Sequence, residues 1–411
     1  MPGRSLKLIT LLTCSIALMG AAAQEPPPPA NPGPPPPGAA QPQLPGDDLF
    51  AEGRFAEAAP VYEKAAAAAP DSGPALARVA RMRLYQGRAG EAIELARKAL
   101  ALSPGNPIAM ATMGVAQMRQ RNFGGDLYQI DDTAGTGSAP FVITDPLPVV
   151  HVTIGGRQAT FLIDTGGPDI MVRRPLADAL GLPITEGGMG VFAGGRQARV
   201  DHTVVPEMEI GGIRIRNVPA GVNSAADGLT LPGVEIDGVI GTGLLMHFLS
   251  TIDYCTGKLV LQPRSASTVF ETLAAQGGAN VVPFWLVADH FMFARGKINQ
   301  LEGLFYIDTG LAGGGLVASK ATLDAAGVTV DESKTLAGRG GGGAVQFIPF
   351  RAGATLGKLT RSDLPGVYIP GGSDPLAALP FHSTGIISHS FFRQSRLTFD
   401  FEAMKIVTQA C

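Results

Sequence analysis

"FLIDTGGPDI" (161–170) and "LFYIDTGLAGGG" (304–315) each carry Asp-Thr-Gly at the end of an apolar run, with more glycine behind it. An apolar run that ends in this way predicts a buried strand leaving its sheet at a tight turn. One copy is weak evidence, because the tripeptide is an ordinary turn; two copies gain weight when the residues beyond them also correspond. Asp164 and Asp308 stand 144 positions apart, and "GVIGTGLLMHFLSTIDYCTGKLVL" from Gly238 lines up without gaps on "GIISHSFFRQSRLTFDFEAMKIVT" from Gly385. Val239 and Ile240 fall on Ile386 and Ile387, Leu244 on Phe391, Asp253 on Asp400 and Lys258 on Lys405. The second part of the chain repeats the first, and the two turns hold equivalent places in the repeat.

Around them, "LPVVHVTI", "QATFLI", "HTVVPEMEI" and "GKLVLQP" are short β-branched runs separated by Gly-Gly, Asp-Gly and Thr-Gly turns. That pattern predicts an all-β unit. Two short helical stretches, "RPLADALGL" and "SKATLDAAGV", come after the two Asp-Thr-Gly turns at similar distances. If a pseudo-twofold axis brings Asp164 and Asp308 together, two like charges so close cannot both ionise easily, and the pair keeps one proton over a wide pH range. One carboxylate can then take a proton from a water while the other polarises a peptide carbonyl.

On these residues, the chain from about Asp126 to Cys411 resembles an aspartic protease of the pepsin and retropepsin type, with lobes at 126–265 and 278–411. The resemblance implies a bilobal acid-protease β-barrel fold and a catalytic dyad of Asp164 and Asp308. It implies that Thr165 and Thr309 brace the two loops across the axis, with Gly166 and Gly310 completing the turns. Val239, Ile240 and Gly241, and in the second half Ile386, Ile387 and Ser388, would support the loops from behind. A Gly-rich hairpin closes over the substrate in this family; Gly188, Met189, Gly190 and Val191 occupy that place in the first lobe, and Gly341 and Gly342 in the second. Each lobe is shorter than in pepsins, so a compact bacterial retropepsin-like enzyme with fused lobes is the nearer comparison.

Departures from the family pattern carry expectations of their own. Ser388 stands where the family has glycine, so it needs extra room and is expected to alter the support of the Asp308 loop. His389 stands where an acidic residue often comes next. Gly167 and Leu311 lack the hydroxyl found in pepsins, which implies a pH optimum above that of gastric enzymes, and the lid has no tyrosine of the pepsin kind. The alternative reading is a catalytically impaired acid-protease fold that binds peptides as a scaffold.

The first residues place Arg4 and Lys7 before the apolar stretch Leu8 to Met19, with Ala21 and Ala23 ahead of Gln24. This predicts a secretory signal over 1–23, the apolar core being too short to span a bilayer; Cys14 lies inside that core, against a lipoprotein signal. Residues 24–46 are Pro-rich and predict a stiff polyproline-like spacer. From 47 to 123, Ala, Glu, Arg and Leu recur at helical spacing with a period of 34: Gly53 and Gly87, Ala58 and Ala92, Ala65 and Ala99, Pro70 and Pro104. These units resemble tetratricopeptide repeats, which implies a protein partner held in a groove; an ordinary Ala-rich helical hairpin is the plainer reading.

The 411 residues carry 32 Lys and Arg against 35 Asp and Glu, a net charge of −3, so the balance favours neither nucleic acid nor an anionic membrane as partner. The expected partner is a protein or peptide substrate, the expected compartment periplasmic or secreted, and no span is expected after signal cleavage. The six histidines show no ligand spacing and Gly188, Gly190 and Ala193 match a dinucleotide fingerprint without its strand-and-helix context, so neither metal nor cofactor is expected. Cys255 and Cys411 are left either bridged or free, because spacing alone does not decide.

Overall fold

The computed structural model describes residues 16–17, 42–131, 135–223, 230–231, 233–275, 277–340, 342–371 and 375–411. The signal and spacer readings fall almost wholly outside these residues, and so does Gly341. The chain divides into a helical unit ending at Arg121 and a mainly β unit from Asn122 to Cys411. No helix among the described residues is long and apolar enough to cross a membrane.

The helical unit comprises α1 (Asp47–Ala51), α2 (Phe55–Ala68), α3 (Gly73–Tyr85), α4 (Ala89–Leu102) and the part of α5 (Pro107–Gly124) up to Arg121. The period of 34 is visible in its backbone. Gly53 and Gly87 hold φ of +70° and +77°, values open to glycine at little cost. The residues ahead of α2 and α4, Arg54 and Arg88, share nearly the same φ and ψ, and each pairs with a glutamate three residues on. Ala58, Ala92, Ala96 and Ala99 are buried, and their small side chains let the helices lie close. The Ser72 hydroxyl accepts the Ala75 N–H to cap α3.

In the β unit the same plan is built twice. Strand Val149–Ile154 turns through Gly155 and Gly156, both at positive φ, into strand Arg157–Ile163. Strand Phe291–Ile298 turns through Asn299, also at positive φ, into Leu301–Ile307. Asn299 lies 144 positions beyond Gly155, so the offset of the two aspartates extends back through both hairpins. A long strand, Arg196–Ile210, pairs with Thr185–Phe192 at one end and Ile213–Asn223 at the other. In the second half Gly343–Leu356 pairs in the same manner with Leu336–Gly340 and Leu359–Tyr368.

A six-stranded antiparallel sheet joins the halves, running Gly137–Ile143, Lys258–Pro263, Phe248–Asp253, Ser395–Asp400, Lys405–Ala410 and Asn280–Val287. At its middle Thr251 sits opposite Thr398, 147 positions on, with the two hydroxyl oxygens 2.8 Å apart. One apolar cluster runs from Val150 and Phe161 in the first half to Phe391 and Ile406 in the second, so the halves share a core. Cys255 and Cys411 form a disulfide that ties the chain end to the turn before Lys258–Pro263. The pairing left open by spacing is thus decided by the sheet, which brings the two positions together.

Candidate active site

Each aspartate is delivered by the last residue of a central strand. Arg157–Ile163 is flanked by the parallel strand Gly238–Ile240, with Val239 beside Leu162 and Ile240 beside Ile163, and the Asp164 N–H donates to the Ile240 carbonyl at 3.0 Å. Leu301–Ile307 is flanked by Gly385–Ile387, with Ile386 beside Tyr306 and Ile387 beside Ile307, and the Asp308 N–H donates to the Ile387 carbonyl at 3.1 Å. The strand ends Leu162–Ile163 and Tyr306–Ile307 are fully buried, as central parallel strands require, so both turns are held from behind by rigid backbone.

The two turns clasp each other. The Thr165 N–H donates to the Thr309 hydroxyl at 3.1 Å and the Thr309 N–H to the Thr165 hydroxyl at 3.0 Å. The Thr165 hydroxyl donates in turn to the Ile307 carbonyl at 3.1 Å. Gly166 and Gly310 are required by this approach: a Cβ on Gly166 would overlap the Asp308 carboxyl, and one on Gly310 would overlap that of Asp164. Their N–H groups donate to Oδ1 of their own aspartates at 2.8 and 2.9 Å.

The Asp164 and Asp308 carboxyls stand side by side, with Gly166 against both: its N–H donates to Asp164, and a Cβ on it would overlap Asp308. Exposure is 4% for Asp164 and 0% for Asp308, so the pair is shut off from bulk water as the chain stands. Burial raises both carboxyls above the usual range, and the Asp164 charge pushes Asp308 further up. Asp308 Oδ2 has no hydrogen-bond donor among the described residues. A proton on one carboxyl supplies that donor, so the geometry favours one proton shared across the pair.

Ser388 contacts the Asp308 loop in a way that a glycine could not. Its hydroxyl accepts the Leu311 N–H at 3.1 Å, and its own N–H donates to the Gly315 carbonyl as that of Gly241 does to Asp169. In the first half a Cβ on Gly241 would strike the Asp169 and Gly167 carbonyls. In the second, the loop from Asp308 to Gly315 is two residues longer than that from Asp164 to Asp169, which makes room for the hydroxyl.

Gly188, Met189, Gly190 and Val191 lie on Thr185–Phe192, with Met189 exposed and opposite Arg199. Gly342 lies at the turn of the second hairpin, where a Cβ would press on Phe192 and Arg196, so the two hairpins meet at their tips. The fingerprint glycines Gly188 and Gly190 are on this strand rather than at a strand-to-helix turn.

Other buried polar groups lie in the β unit; His389 is named in the sequence reading, while Tyr128, Asp169 and His290 are not. His389 is buried, with Nδ1 3.3 Å from the Tyr254 hydroxyl and Nε2 3.4 Å from Asp145, which also pairs with Arg393. The Tyr128 hydroxyl donates to Asp169 at 2.5 Å, and burial pushes the Asp169 carboxyl up to about 6 against the downward pull of that bond. His290 is buried with Nδ1 2.5 Å from Asp289. The offset of 144 was the available signal: carried back from the aspartates, it places Asp289 on Asp145.

The comparisons bear on this geometry. Residues 150–244 match the aspartyl protease family model. That span contains Asp164 and the supporting Val239, Ile240 and Gly241; with the barrel architecture it supports an aspartic-protease fold. Among solved structures, soybean Basic 7S globulin is 10% identical over 67% of this chain and 94% of its own, with a TM-score of 0.37. A retropepsin-like aspartic protease from Rickettsia conorii is 20% identical over 33% of this chain and 97% of its own, with a TM-score of 0.25. No curated protein matches the chain.

Proposed function

We propose that the chain is an exported aspartic endopeptidase, periplasmic or secreted, in which Asp164 and Asp308 activate a water to hydrolyse a peptide bond. The observation that carries this reading is the contact of two buried carboxyls, each backed by the other turn's glycine. With one proton between them, the ionised carboxyl takes a proton from the water as its oxygen attacks the scissile carbonyl carbon. The protonated carboxyl hydrogen-bonds the carbonyl oxygen as charge develops there. Collapse of the tetrahedral adduct, with a proton passed to the nitrogen, breaks the C–N bond and leaves a carboxylic acid and an amine. The peptide would bind extended beneath the two hairpins by strand-like hydrogen bonds, and the hairpin tips must part to admit it. The tetratricopeptide-like helical unit would recruit protein substrates.

The test compares wild type with Asp164→Asn and Asp308→Asn on a peptide library between pH 4 and 7. Cleavage by wild type that both variants lose supports the reading; identical patterns from all three proteins defeat it. Recruitment is tested by removing residues 48–121, which should slow cleavage of a protein target more than that of a short peptide. The scaffold alternative rests on Ser388 and His389; the hydrogen bond that the Ser388 hydroxyl accepts from the Leu311 N–H supports the catalytic reading over it.

A further inference from the structure

In the helical unit, Arg81 is a half-buried cation that the fold leaves without a counter-charge. It lies on α3 three positions after Arg78 and four before Tyr85, spacings that put the three on one stripe of the helix. Arg78 is fully matched: two of its nitrogens donate to the two Asp47 carboxylate oxygens at 2.7 Å, and the Pro74 and Pro42 carbonyls accept the rest. The Asp47 oxygens also accept the Tyr62 hydroxyl at 2.7 Å and the Leu44 N–H at 2.9 Å, so that carboxylate is fully occupied. Arg83 pairs with Glu63 and Glu91. Arg81 makes no ion pair and no hydrogen bond among the described residues, and its Nε is shut off from water without an acceptor.

What holds Arg81 is an aromatic floor. Its guanidinium carbon lies 3.4 Å from the centre of the Phe50 ring, and Phe50 packs at 5.2 Å on Phe55 and 6.2 Å on Tyr85, all three buried. The ring face attracts the positive charge and restricts the side chain, but it leaves the N–H donors unused. Burial lowers the pKa of the group from its ordinary value, yet a guanidinium stays charged at any working pH. A cation half withdrawn from water with idle donors is costly to keep, and such a group calls for an explanation.

The chemistry of the group names its ligand. A guanidinium presents a planar fork of donors that matches the two oxygens of a carboxylate, and removal from bulk water strengthens that pairing. Phosphate recognition draws on several free cations, whereas Arg78 on the same stripe is already given over to Asp47.

We propose that Arg81, laid on Phe50, is the anchor for a carboxylate of the protein or peptide that the helical unit binds, so that its partners carry an exposed Asp or Glu side chain or a free chain end. The proposal rests on the recruitment reading of the helical unit and is independent of the peptidase reading.

The experiment uses the full chain carrying Asp308→Asn, so that nothing is cleaved, and a random-sequence peptide library made in two forms, with a free carboxyl terminus and with an amide. Peptides retained by this chain are compared with those retained when Arg81→Gln or Arg81→Lys is added. The expected pool is enriched in carboxylate-bearing peptides whose Kd rises about tenfold or more in Arg81→Gln, with a smaller rise in Arg81→Lys, which keeps the charge and loses the fork. Enrichment of Asp and Glu within the amide library assigns a side-chain carboxylate, and enrichment confined to the free-acid library assigns the chain end. A pool indifferent to carboxylates, or an enrichment unchanged in Arg81→Gln, overturns the proposal and leaves recruitment standing. A chain that retains no peptide at all removes both. Should Arg81→Gln fail to fold, Arg81→Met, which keeps an unbranched stem over Phe50, carries the same comparison.

Discussion

Asp169→Asn should make the β unit more stable near neutral pH while leaving it unchanged in acid. The Asp169 carboxyl is raised from its ordinary 3.8 to about 6 by burial, with Asp289 adding to the rise and the Tyr128 hydrogen bond and His290 opposing it. A carboxyl whose folded value is raised contributes stability that is fully present below the unfolded value. That stability is lost as pH climbs through the folded one. The window is therefore about pH 4 to 6, and a shift of two units corresponds to about 3 kcal/mol as an upper figure. Asparagine keeps an oxygen to accept the Tyr128 hydroxyl and has no proton to lose. The variant should match wild type at pH 3.5 and exceed it by about 1–3 kcal/mol at pH 7.5. Urea unfolding followed by Trp285 fluorescence reads this in the β unit alone, because Trp285 is the chain's single tryptophan and lies on Asn280–Val287. Slopes contributed by Asp164 and Asp308 are common to both proteins and drop out of the difference. Parallel stability curves across pH 3.5 to 7.5 would refute the reasoning.

Three further outcomes are expected. Cys411→Ser removes a bridge between positions 156 apart, and the chain-entropy estimate for such a loop is about 5 kcal/mol; the urea midpoint should fall and no longer respond to reductant. Ser388→Ala leaves the buried Leu311 N–H without its acceptor at a cost of about 1–3 kcal/mol, and should lower kcat more than it raises KM, because the loop it braces carries Asp308. An unchanged kcat would show that the hydroxyl is a passenger. Gly310→Ala drives a methyl into the Asp164 carboxyl and should abolish cleavage with the fold retained by circular dichroism; an active variant would show that the turns do not approach as described.

Much of this is legible in the sequence for identifiable reasons. Turn chemistry and β-branched runs are local, so the hairpins ending on Asp164 and Asp308 can be read directly. The helical period of 34 can be read in the same way, and it reappears as matched glycine φ values at Gly53 and Gly87. The pairing of two distant aspartates is legible because the duplication puts a symmetry into the numbering. That symmetry reaches upstream to Asp145 and Asp289, but it does not mark the partners of His389, because Tyr254 and Asp145 meet it through the packing of distant segments.

What the sequence by itself determined is the doubled plan: two strand-to-turn units, their equivalence, and a pair of aspartates that requires both. Tertiary structure decided what depends on space between distant segments. Whether Ser388 harms or braces the Asp308 loop turns on two extra residues between Asp308 and Gly315, and on the room they open. Whether Cys255 meets Cys411 turns on the register of the central sheet. Local propensity is written residue by residue; burial and pairing belong to the folded chain as a whole.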